Sequence, residues 1–202
     1  MVQAQESRIT VQIVPHPTAY PEEVWEVDLE HVDMSTEEIL EELSRIAWAE
    51  GGKYPANFVL SGRHGHHSWG ASGSFAEFVI QMSSGMGGGL GVLAVQAAIK
   101  GAFEKIRKRA TRDSWENLAS EEEARNLARM KIHAHYDIPL EDLALTGSQA
   151  DASTATYAFS FTGLGKKFGA QVTTLEGITC CTKVWMQEYD FATRPEFQRD
   201  EE

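Results

Sequence analysis

The stretch "FAEFVIQMSSGMGGGLGVLAVQAAIK", Phe75–Lys100, decides how the rest of the chain is read. Five glycines, Gly85, Gly87, Gly88, Gly89 and Gly91, fall within seven residues, and a nearly wholly apolar run follows. A phosphate loop would need a lysine and a serine or threonine at fixed spacing after the glycines. "SSGMGGGLG" precedes a helical pattern, but those residues are missing. A membrane span is a second reading. Phe78–Ile99 gives 22 residues without a charge, and Lys100, Lys105, Arg107, Lys108 and Arg109 follow as a basic flank. Gln81, Ser83, Ser84, Gln96 and the glycines lower its transfer energy. The third reading, which the pattern favours, is a core helix. Val92, Val95, Ile99, Phe103 and Ile106 recur at helical spacing, and Leu93, Ala94, Ala97 and Ala98 fill a second face. On that reading "FAEFVIQM" (Phe75–Met82) opens a helix capped by Ser74. The glycines then form a hinge, and the helix runs again from Leu90 to about Ala110.

Outward from this segment, "RITVQIVP" and "VWEVDLEHV" alternate apolar and polar residues and read as strands. In the second, Trp25, Val27 and Leu29 share one face, and Glu26, Asp28 and Glu30 share a wet, acidic one. "STEEILEELSRIAWAEGG" is a helix with Ser35 and Glu38 as a capping box. "NFVLSGRHGHHSWGASGSF" reads as strand, turn and return strand. "SEEEARNLARMKIHAHY" is a second capped helix, starting at Ser120. Four alternating runs close the chain, with "GLGKKFG" and "LEG" as hairpin turns.

The expected order is therefore ββ-α-ββ-α-α-ββββ. Strands come in local groups, which indicates an α+β fold of antiparallel sheet on about three helices, with a central glycine-preceded apolar helix. An N-terminal part over 1–112, a C-terminal helix-plus-meander over 113–190 and a polar tail over 191–202 are expected, or one compact domain.

The 202 residues carry a net charge of −12, unevenly spread. Residues 1–57 hold twelve acids and three bases, whereas 100–112 hold six bases and one acid. An acidic chain is repelled by phosphate backbones, so nucleic acid is an unsuited partner. The two opposed blocks are expected to attract one another, within the chain or between copies. Cys180 and Cys181, the only cysteines, stand side by side, which suits a reducing compartment. The first ten residues lack a secretory pattern, so a cytoplasmic location is expected.

Chemistry is sparse. "RHGHHSWG" places His64, His66 and His67 within four residues, and imidazoles so spaced can hold zinc or another transition metal given a further ligand. His133, His135, His31 and Asp33 are the candidates for that ligand. No metalloprotease, serine-elbow or paired-cysteine motif accompanies them. The functional expectation is a non-enzymatic protein that binds another protein, or itself, through its charge-segregated surface. Trp25, Trp69, Lys105, Arg107, Lys108 and Arg109 are its expected interface, and Trp48, Trp115 and Trp185 are further aromatic candidates. A metal-dependent hydrolase built on the three histidines, and a membrane-active effector built on Phe78–Ile99, are the alternatives.

Overall fold

The computed structural model describes residues 6–16, 18–48, 58–67, 73–83, 92–112, 120–153, 156–175 and 178–187. Its strands are β1 (Glu6–Val14), β2 (Glu23–Val32), β3 (Phe58–His67), β4 (Gly73–Ser83), β5 (Ala110–Arg112), β6 (Ala144–Asp151), β7 (Thr156–Gly163), β8 (Lys166–Leu175) and β9 (Ile178–Gln187). Three helices are described: α1 (Thr36–Ser44), α2 (Val92–Arg107) and α3 (Glu121–Tyr136). Short 3₁₀ turns follow α1 at Arg45–Trp48 and α3 at Leu140–Asp142.

The chain is broadly α+β, with all strands in one sheet of order β3-β4-β1-β2-β9-β8-β7-β6. β5 pairs with the far end of β2, through Glu30 and Val32. The sheet is mixed, because β1 and β4 run parallel while the other pairs are antiparallel. The expected all-antiparallel arrangement is corrected here. Strand direction leaves no trace in hydrophobic period, so alternation cannot report it.

Phe75–Met82 is the second correction: it is part of β4, not a helix. Ala76, Phe78, Ile80 and Met82 are buried while Glu77, Val79 and Gln81 face the other way, a period of two. Both edges of the segment are hydrogen-bonded, one to β1 and one to β3. Strand-favouring Phe, Val and Ile in a doubly paired position outweigh the cap-like Ser74. The element order also gains β5 between α2 and α3. The glycine segment lies outside the described residues. α2 itself is amphipathic, unlike the helix apolar nearly all round that its sequence suggests. Val95, Ile99, Ala102, Phe103 and Ile106 are buried, while Ala97, Lys100, Glu104 and Lys105 are exposed.

Two cores form, on opposite faces of the sheet. α1 and α2 cover the face that carries Ile9, Val11, Trp25, Val27, Phe78 and Ile80. α3 covers the other face further along, over Phe159, Phe161, Phe168, Ala170, Val172 and Val184. β2 lies where they exchange, with Val24 in one core and Trp25 in the other. Registers on the wet face of the first half form a row of alternating charge, Asp28–Arg8–Glu77–Arg63, across β2, β1, β4 and β3. Arg8 Nε donates to Asp28 Oδ1 at 2.7 Å, and Arg63 pairs with Glu77. Opposite charges directly across a sheet favour this register over a slipped one.

Candidate functional site

A cleft opens where small side chains interrupt the first core. One cross-strand row on the helix-covered face reads Leu29–Ser7–Ala76–His64, and the next reads Val27–Ile9–Phe78–Gly62. Phe78 fills its row, and the absence of a side chain on Gly62 leaves room for its ring, 3.2 Å from where a Cβ would stand. Ser7 and Ala76 do not fill theirs. A space of about 510 Å³ results, bounded by these residues, by Phe78 and by the start of α1.

α1 begins there because Ser35 satisfies its first turn. The Ser35 hydroxyl accepts from Glu38 N–H at 3.2 Å, and Glu38 Oε2 accepts from Ser35 N–H at 2.7 Å. That backbone bond holds the Glu38 carboxyl below the usual carboxylate range. Thr36, one residue on, lies with Oγ1 2.8 Å from His64 Nε2. The His64 ring meets Phe78 edge-on with centroids 6.1 Å apart. Ser7 is 4% exposed and its hydroxyl has no hydrogen-bond partner among the described residues.

A second hollow of about 370 Å³ shares Met34, Glu38 and Arg109 with the first, so the two form one groove. Here the opposed charge blocks meet within the chain. Glu41 and Glu42 of α1 form one wall; Lys105 of α2, with Lys108 and Arg109 just beyond it, forms the other. Lys105 Nζ lies 3.1 Å from Glu42 Oε2, and Arg109 Nη2 lies 3.7 Å from Asp33 Oδ2. Arg45 bridges Glu41 and Glu42 along α1. Lys108 and Glu37 carry no ion pair among the described residues.

Where β2 is covered on both faces, Glu26 is buried at 4% exposure. The expected wet, acidic face of β2 is thus corrected: it is wet at Asp28, and dry at Glu26 beneath α3. Lys131 pairs with Glu26, His135 Nε2 lies 3.2 Å from its other oxygen, and Arg8 Nε lies 3.2 Å away. Burial by itself would raise this carboxyl. The hydrogen bond from His135 and the charge and hydrogen bond of Lys131, with Arg8, reverse that and bring it down to about 2. On the opposite face Lys183 sits 5.0 Å from the Trp25 ring and 5.5 Å from the Trp185 ring, with Glu23 Oε2 3.0 Å from its ammonium. This is a closed, charge-neutral clasp across the β2–β9 junction.

The residues singled out from sequence are thus dispersed. His64 faces Thr36, His133 Nδ1 lies 2.8 Å from Ile138 O, and His135 serves Glu26. His66 and His67 belong to β3, and their side chains lie outside the described residues. Among the described residues no group of three His, Cys, Asp or Glu side chains could hold a metal ion. Trp25 is 5% exposed and Arg107 9%, so neither presents the free surface expected of an interface residue. Lys105, Lys108 and Arg109 are exposed; Trp69, Trp115 and the five hinge glycines lie outside the described residues. The charge-free run Phe78–Ile99 is divided between β4 and α2, and no described helix is long and apolar enough to cross a membrane. Ser7, Thr36 and Glu26 were missed. Ser7 alone left a signal, a small polar residue on the inward side of the alternation Ile9, Val11, Ile13.

No known family model, no curated protein and no solved structure matches this chain.

Proposed function

We propose that the protein is a non-enzymatic, cytoplasmic regulatory protein that binds another protein, and that the α1–α2 groove is where the partner lies. The observation that carries this is the continuity of the two hollows, with an acidic wall on one side and a basic wall on the other. Walls of opposite sign fit a partner segment carrying both charges and fix which way round it lies. Lys108 and Glu37 supply charge that no described neighbour neutralises. The adjacent cysteines suit the reducing location.

The test places a photo-crosslinking residue at Met34 and compares partners captured in the native cells by the Lys108→Glu variant and by a Lys108 control. The expected result is one dominant crosslinked protein, lost on charge reversal and progressively released as salt rises. The same captured set from both proteins, with no salt dependence, would overturn the groove as the binding surface.

A further inference from the structure

The inner end of the groove, around Ser7, has the build of a ligand pocket in its own right. Its floor is a strand row of small residues, Ser7 and Ala76, between full-sized ones. Phe78 and Ile39 give it apolar walls. A serine hydroxyl at the floor of a cleft can donate to a ligand or accept from it. Ser7, 4% exposed and lining the cleft, is placed to do so.

The charges select among ligands. An anion is disfavoured at the start of α1, because Ser35 and Glu38 already satisfy its first turn and Glu37 and Glu38 place negative charge there. A metal ion lacks a ligand set among the described residues. Among the described residues, Asp33, Glu37 and Glu38 line the cleft against one arginine, Arg109, which faces Asp33. The surplus is negative, and Glu37 has no ion pair among the described residues.

We propose that this cleft binds an organic ammonium group on a short apolar stem. The stem lies along Phe78 and Ile39, the hydroxyls of Ser7 and Thr36 accept from the ammonium, and Glu37 balances its charge. An ammonium on a small molecule and one on a partner's lysine share this chemistry.

A matched set of probes tests it: phenethylamine, phenethyl alcohol and phenylacetate, with a blocked tripeptide bearing one central lysine, each titrated by calorimetry into the full chain. The amine is expected to bind about tenfold more tightly than the alcohol, with no binding of phenylacetate. Glu37→Gln, an exposed change that leaves the fold intact, is expected to remove most of that preference, and Ser7→Val to fill the floor and abolish binding. Tighter binding of the tripeptide than of phenethylamine assigns the ammonium to a partner's side chain, and the reverse assigns it to a free metabolite; both uphold the site. Equal binding of amine and alcohol, a preference for phenylacetate, or a preference untouched by Glu37→Gln overturns it. An amine preference in a protein whose Met34 crosslink captures no partner upholds the pocket alone, and partner capture without an amine preference upholds the groove alone, so the two fail separately.

Discussion

The two halves of the sheet solve the same packing problem on opposite sides. In the first, α1 and α2 bury one face and the other carries the charged row Asp28–Arg8–Glu77–Arg63. In the second, α3 buries the opposite face. A sheet covered on one side needs strict alternation of apolar and polar residues. One whose cover changes sides needs a strand buried on both. β2 is that strand: Val24, Trp25, Glu26 and Val27 are all buried in succession. The difference teaches why a charged residue sits inside this protein. Glu26 occupies a wet-face position of the first half that the helix of the second half closes over.

The sharpest way to break the comparison is to ask whether the halves unfold together. Phe78 (1% exposed) anchors the first core and Phe159 (2%) the second. Phe78→Ala and Phe159→Ala are each expected to cost about 3–5 kcal/mol. Because β2 pairs with both β1 and β9, calorimetry is expected to show one transition, lowered alike by either change. Two transitions, only one of them displaced, would show the halves to be separate units.

A smaller effect tests the junction. The Glu26 carboxyl is held at about 2 in the folded chain against 4.5 when free, so the folded state favours its ionised form. That contribution, roughly 3 kcal/mol, is fully present above pH 4.5 and is lost as pH falls through 2. Glu26→Gln is expected to be destabilised by about that much at neutral pH. Urea melts across the acid range should show the gap from wild type closing between pH 4.5 and 2; a gap independent of pH would mean that burial, and not the ion cluster, sets the cost.

The smallest effect is confined to the second half. Leu164 and Gly165 turn the β7–β8 hairpin with both residues at positive φ, 48° and 75°. That pairing of signs matches strand twist, but a leucine is strained there, and Leu164 is 65% exposed. Leu164→Asn is expected to stabilise by about 1 kcal/mol, seen as a raised urea midpoint with an unchanged slope. Destabilisation would show that Leu164 makes a contact worth more than its strain.

Much of this fold was written locally. Ser35 with Glu38, and Ser120 with Glu123, form the capping boxes that their spacing implies. β1, β2 and the closing meander form where alternation in the sequence places strands, and the hairpin at Gly163–Lys166 follows its glycines. The opposed charge blocks were equally plain, and they do meet, through Lys105 and Glu42. These signals act over a few residues, so the chain alone determines them. Tertiary structure decided the rest. Phe75–Met82 carries a cap-like start and an apolar run that suit a helix, and pairing with two remote strands makes it β4. Glu26 reads as wet until Lys131, 105 residues away, is laid over it. The cleft at Ser7 exists only because β1, β4 and α1 converge beside it. Periodicity tells which side chains share a face; which face is covered, and by what, depends on contacts between distant segments.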